Sequence, residues 1–182
     1  MKRLFLFWVG FVLVLGATSQ ALAECGDCFT NTRPYVQVNG LPVIDWGAKE
    51  VNVCPGATIT YTPGSPLSLY YGLWDSCKDH YGENQKVCGE FYILVSDGNL
   101  KNFLYFADGS WHLTTQVEEI KPYQVIGPEG GAPFVWQQHI HEGVMLPKGT
   151  YYLAAFVDKV QDGRPTLTPG DYKFCAVTLV VP

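Results

Sequence analysis

The sequence predicts an all-β protein, a sandwich or barrel stapled by disulfides, and three observations predict it. Short runs rich in aromatic and β-branched residues recur along the chain, broken at short intervals by Gly, Pro, Asn and Asp. Such runs are strand signals and such breaks are turn signals. No window sustains an apolar period of 3.6 residues, so no long amphipathic helix competes with them. All six cysteines lie beyond an N-terminal stretch with the composition of an export signal, which puts them where disulfides form and persist.

That stretch is the first element. Lys2 and Arg3 lead an apolar run over residues 4–15, and a polar patch then ends in Ala21-Leu22-Ala23, the small-x-small pattern that signal peptidase reads. The run is short for a bilayer-spanning helix. Cleavage after residue 23 is expected to leave 159 of the 182 residues, beginning at Glu24 and exported to the periplasm, the cell surface or the medium. Lipidation of Cys25 would need a small residue directly before it, and Glu24 occupies that place, so neither a lipid anchor nor membrane insertion is expected after cleavage. The mature chain carries ten basic and seventeen acidic residues, a net charge of −7. This excludes nucleic acid and anionic membrane as the main partner. Its length is that of one ordinary domain, able to bury roughly 70 % of its unfolded surface.

The expected strands follow in order at 35–38, 41–45, 49–53, 58–62, 67–73, 90–96, 102–106, 116–126, 134–141, 151–158 and 172–181. Turn chemistry separates them, as in Cys54-Pro-Gly, Pro63-Gly-Ser-Pro, Asp97-Gly-Asn, Asp108-Gly-Ser, Gly127-Pro-Glu-Gly-Gly, Leu146-Pro-Lys-Gly and Asp162-Gly-Arg-Pro. Two strands disclose their faces. In 134–141, Phe134, Trp136, Gln138 and Ile140 alternate with Val135, Gln137, His139 and His141, and the aromatic side should be the buried one. In 151–158 both alternating sets are apolar, so that strand should be central and covered on both sides.

The strings GEFYILVSDGNLKNFLYFADGSW, LPKGTYYLAAFVDK and the closing FCAVTLVV, in that order, resemble a recurrent immunoglobulin-like sandwich module of exported bacterial proteins. The resemblance implies an immunoglobulin-like β-sandwich and an exported location, and it implies no catalytic residues. With the leader-like stretch at 1–23 read as a signal peptide, the chain divides into that peptide, an N-terminal extension or first strands at 24–48, and, where the resemblance lies, the sandwich at 49–182 with an insertion at 74–89. The cysteines and that insertion depart from the module's pattern.

Six cysteines in an exported domain read as three disulfides. Cys77 and Cys88 bracket a polar loop, and joining them would stabilise by about 2.5–3 kcal/mol on the loop-entropy estimate. Cys54 and Cys175 would tie the beginning of the sandwich to its last strand, contributing about 4.5–5 kcal/mol on the same estimate. Cys25 and Cys28 remain, as a staple or as ties from the N-terminus to the body. Redox exchange needs a helix behind the first thiol, and 29–34 reads as a loop; thiolate ligation of a metal is the other alternative. Haem attachment is excluded because Phe29 stands where histidine is required.

His139 and His141 sit at i and i+2 of one strand and project to one side, so with Glu142 they form the candidate metal site, for copper or zinc. Solvated residues on an outer strand face explain them more simply, and no cofactor is expected. The acidic turns lack the alternating ligand series of a calcium loop. No Gly-x-Ser-x-Gly elbow is present, and Glu118-Glu119 looks like a solvated edge rather than an acid–base pair. Catalysis is not expected. Aromatics are abundant, and Tyr70, Tyr71, Trp74, Tyr81 and Trp111 lie at or near expected loops, where rings give large contact area at low entropy cost. The function expected is recognition or assembly at a cell surface, as an accessory, adhesion-type or filament subunit. Its partner would be a protein, with a glycan as the second kind of surface such rings stack on. Strand addition through residues 29–45 would build a filament, although completion of the chain's own sheet is the simpler role. The alternative class is a periplasmic metal-binding or thiol-redox protein.

Overall fold

A computed structural model of the chain describes residues 26–46, 52–75, 86–140 and 146–182. It is all-β apart from a short helix α1 (Gly26–Asn31) and a 3₁₀ turn (Val117–Glu119). The strands are β1 (Thr32–Val38), β2 (Ala57–Thr60), β3 (Leu67–Asp75), β4 (Val87–Asp97), β5 (Phe103–Ala107), β6 (Ser110–Thr114), β7 (Gln124–Gly131), β8 (Phe134–Ile140), β9 (Gly149–Asp158) and β10 (Tyr172–Val181). Among the described residues they form a three-stranded sheet, β1-β3-β8, and a seven-stranded sheet of order β2-β10-β9-β4-β5-β6 with β7 also paired to β4. All pairings are antiparallel except β2 with β10.

The two sheets pack face to face through alternating side chains. Val36 and Val38 of β1 and Leu67, Leu69, Tyr71 and Leu73 of β3 meet Phe91 and Ile93 of β4, Leu153, Ala155 and Val157 of β9, and Val177, Leu179 and Val181 of β10. β9 lies between β4 and β10, the central place its two apolar faces predict. Its second face and that of β4 carry Tyr92 and Phe156, which pack with Tyr105, Ala107 and Ile120 under the 3₁₀ segment.

Cys54 and Cys175 form a disulfide with Cα atoms 5.5 Å apart, joining positions 121 residues distant in sequence. A disulfide fits an oxidising, non-cytoplasmic setting. Among the described residues no helix is long and apolar enough to cross a membrane. The expected signal peptide, and Cys25 and Cys77 with the bridges expected of them, lie outside the described residues.

The N-terminal segment corrects one expectation and meets another. Residues 26–31 are helical, not a loop, because distant groups take up the carbonyls at the end of so short a helix. The Thr32 hydroxyl donates to Cys28 O at 2.9 Å, and the Lys173 ammonium of β10 donates to the carbonyls of Phe29, Thr30 and Thr32 while lying 4.7 Å from the Phe29 ring centre. Burial pulls the Lys173 amine down to about 8. β1 then pairs along its whole length with β3 of the same chain, so residues 32–38 complete their own sheet. The stretch 41–45 is not a strand. Asn39 and Gly40, with φ of 52° and 75°, reverse the chain after β1 in the manner of a type I′ turn, and only Leu41 bridges back, to Val38. The stretch 116–126 divides into the 3₁₀ turn and β7, and β6 at 110–114 was not expected.

One loop is held by buried acids. Glu90 and Asp158 face each other across β4 and β9, and both are buried. Glu90 accepts from the Tyr92 hydroxyl at 2.6 Å and from the Gly163 amide at 2.8 Å; Asp158 accepts from the amides of Val160, at 2.9 Å, and Thr166. These bonds fasten residues 159–166 to the sheet. Burial raises both carboxyls, and the hydrogen bonds and neighbouring acids only modify that. The folded state therefore binds their protons more tightly than the unfolded chain does. Their contribution to stability is fullest at acid pH and is lost as pH climbs from about 4 through the raised values. Replacing Glu90 by Gln removes one such group while keeping an acceptor for Gly163. Thermal unfolding from pH 4 to 8 should show the midpoint of E90Q gaining on wild type as pH rises, by a few degrees at pH 8. A difference that stays constant with pH would mean Glu90 is not raised.

Candidate functional site

The face of β1-β3-β8 that points away from the core carries the site. Register sets its rows: Gln37 of β1, Tyr70 of β3 and Gln137 of β8 lie side by side, and Tyr35, Gly72 and Val135 form the next row. Gly72 is the position that shapes this face. A Cβ there would sit 2.5 Å from the Tyr35 ring and 2.6 Å from the Phe134 carbonyl oxygen. Only glycine leaves the slot that the Tyr35 ring occupies over the middle strand.

Over that ring the chain folds back. After the Asn39–Gly40 turn, Ile44 and Val53 bury themselves with Tyr35, and Trp74 packs against the three. Trp46 stands edge-on to both neighbours, with ring centres 5.6 Å from Tyr35 and 5.0 Å from Trp74. The turn is anchored to the sheet: Asn39 Oδ1 accepts from the Ser68 amide at 2.7 Å, and the Gln37 amide nitrogen donates to Pro42 O at 2.7 Å. Burial pushes the Tyr35 phenol up to about 12. This folded-back segment covers one side of the sheet face and leaves the other open as a groove of about 580 Å³. Trp46 walls it, Tyr35 and Trp74 line its floor, and Tyr70, Gln37, Gln137 and Val135 line the open side. Trp46 is 46 % exposed and Val135 55 % exposed, and among the described residues no charged side chain lines the groove.

The residues singled out by sequence scatter. Tyr70 and Trp74 line the groove. Tyr71 is a correction: it faces inward, fully buried, its hydroxyl donating to Leu94 O at 3.3 Å, because the two-residue period of β3 puts it with Leu69 and Leu73. Trp111 is half-buried between the sheets, beside Phe106 and Trp136, with its indole N–H donating to Gln138 Oε1 at 3.2 Å. It borders an apolar slot of about 180 Å³ together with Leu69, Leu104 and Leu153. Tyr81 lies outside the described residues, as do His141 and Glu142 of the candidate metal site.

His139 ends the outer row of β8. Its Nδ1 is 3.0 Å from the Ser68 hydroxyl, its Nε2 meets the Gln137 amide, and its ring stands edge-on to Tyr70. Among the described residues no three His, Cys, Asp or Glu side chains are placed to hold a metal. Asp97 anchors its own turn, accepting from the Lys101 amide at 2.9 Å and the Asn102 side chain at 2.6 Å, and these bonds hold its carboxyl below the usual range. Glu119 accepts from the Thr114 hydroxyl at 2.5 Å at the end of β6.

Sequence reading passed over Trp46, Tyr35, Gln37, Val135 and Gln137. The signal was a glycine inside an otherwise bulky strand, Leu67-Ser-Leu-Tyr-Tyr-Gly-Leu-Trp-Asp75, which marks close approach by another group. The chain matches no known family model, and no curated protein matches it.

Gly72→Ala should lower stability by about 1–3 kcal/mol in urea unfolding, and it should let the Tyr35 phenol, followed by ultraviolet titration, fall from about 12 towards the ordinary 10. An alanine tolerated with neither change would show that Tyr35 does not occupy the slot.

Proposed function

We propose that this chain is an exported, non-catalytic recognition module with an immunoglobulin-like sandwich, and that it engages its partner through the groove on the outer face of β1-β3-β8. Strand order supports the fold reading. β1-β3-β8 runs in the order of strands A-B-E of an immunoglobulin-like domain, and β10-β9-β4-β5-β6 in the order G-F-C-C′-C″. The chain departs from that scheme in its disulfide, which joins β10 to the segment before β2, and in β7, which pairs with β4. The disulfide and the leader-like sequence of residues 1–23 support export.

One observation carries the recognition reading. A sandwich needs its inner faces apolar and its outer faces wet, yet here an outer face holds tryptophan and tyrosine rings in an open groove whose described lining is uncharged. The rings are packed edge to face and held by a pinned turn. Rigid aromatics of this kind bind at low entropy cost because they are ordered before the partner arrives.

A photo-crosslinking residue placed at Val135 should yield an adduct on intact producing cells. The same residue at Phe174, 62 % exposed on the larger sheet, should yield little or none. Equal adducts at the two positions, or none at Val135, would overturn the assignment of this groove as the contact surface.

A further inference from the structure

Resting on that reading, we propose that the groove takes a neutral saccharide, a short stretch of uncharged oligosaccharide laid along the outer face of β3. Three features of the lining select this chemistry. The first is size: about 580 Å³ falls within the range of clefts that enclose small ligands, about 300–1,000 Å³. The second is charge. None of the described lining side chains is ionised at neutral pH, so among them nothing would balance the desolvation of a phosphate, a carboxylate or an acidic or basic peptide.

The third is the alternation of ring and amide. Gln37, Tyr70 and Gln137 form one row across three strands, so two carboxamides stand about 10 Å apart with a phenol between them. The next row is Tyr35, the Gly72 gap and Val135, with Trp46 beside Tyr35. A ligand lying across both rows meets hydrogen-bonding groups along one edge and ring or methyl carbons along the other. A pyranose has this division, with axial C–H bonds on its faces and hydroxyls around its rim. A carboxamide offers a donor and an acceptor side by side, the pattern needed to hold two adjacent hydroxyls. A purely apolar ligand would bury the oxygens of these two amides without partners, since among the described residues the protein engages only their nitrogens, and that is costly.

The anchoring bonds set the roles. Gln37 donates through its amide nitrogen to the turn carbonyl of Pro42 at 2.7 Å, so its oxygen is the atom left to accept a sugar hydroxyl. Gln137 is exposed beside His139 and supplies the second amide. Trp46 supplies the stacking surface and Val135 the apolar edge.

The test uses the full mature protein and a panel of uncharged oligosaccharides: β-1,4-glucan, xylan, mannan, α-1,4-glucan and N-acetylglucosamine fragments of three to six units. Calorimetry and quenching of tryptophan fluorescence give the affinities. At least one member should bind with a change in indole emission. Trp46→Ala and Gln137→Ala should each weaken it tenfold or more, and Phe174→Ala should leave it unchanged. Gln137 lies on the exposed side of β8, so its variant stays informative even where Trp46→Ala unfolds. If no oligosaccharide binds while the Val135 crosslink persists, the saccharide assignment falls and the groove remains a protein-contact surface. If binding occurs but is indifferent to Gln137 and Trp46, the sugar sits elsewhere and the proposal falls. Loss of both sugar binding and crosslink removes the groove itself.

Discussion

A tyrosine ring lying in the space where a side chain of the middle strand should be is the contact on which the outer half of this structure depends. Gly72 makes it sterically allowed, and the register of β1 against β3 puts Tyr35 opposite the gap. In that slot the ring offers an apolar platform on a face that would otherwise be solvated. Ile44, Val53, Trp46 and Trp74 assemble on that platform. The backbone from the Asn39–Gly40 turn to Trp46 is thereby drawn down onto the sheet, and the groove is what that segment leaves uncovered. A larger residue at position 72 would lift the ring and with it the wall.

The rest of the sandwich holds that face in place from behind. The small sheet contributes one apolar face to a core shared with a sheet of more than twice as many strands. The larger sheet is fastened at several points: the Cys54–Cys175 bridge at β10, the Lys173 ammonium gathering the carbonyls around α1, and the Glu90 and Asp158 carboxylates holding the loop after β9. The bridge, the ammonium and Glu90 each join segments distant in sequence, while Asp158 ties down its own loop, so each resists independent movement of a loop or terminus. Burying ionisable groups to do this has a cost, visible in the raised carboxyls and the lowered amine.

Much of the fold could be read from the chain because it rests on local pattern. The alternation in 134–140 assigned the faces of β8, the double apolar character of 151–158 made β9 central, and the spacing of Cys54 and Cys175 matched a bridge across the sandwich. The same period of two separates Tyr70 from Tyr71, yet proximity to an expected loop outweighed it. What sequence could not supply was tertiary. α1 is capped by a lysine more than 140 residues away. β6 is five residues long and exists because it pairs with β5. β7 runs through a Gly-Pro-Glu-Gly-Gly string that reads as a turn, and it is strand only by virtue of β4 beside it. The groove is of this kind: Trp46 follows a proline-containing loop, and nothing local says that its ring returns to the sheet.

The shape of the outer sheet face rests on residues 41–46 folding back over it through Tyr35. Nuclear Overhauser contacts in the mature protein with isotopically labelled aromatic residues test it most directly. The Trp46 ring should give cross-peaks to both Tyr35 and Trp74, whose ring centres are 5.6 Å and 5.0 Å away. A Trp46 ring with sharp, solvent-like resonances and no contact to either would contradict it, and the groove would lose its wall.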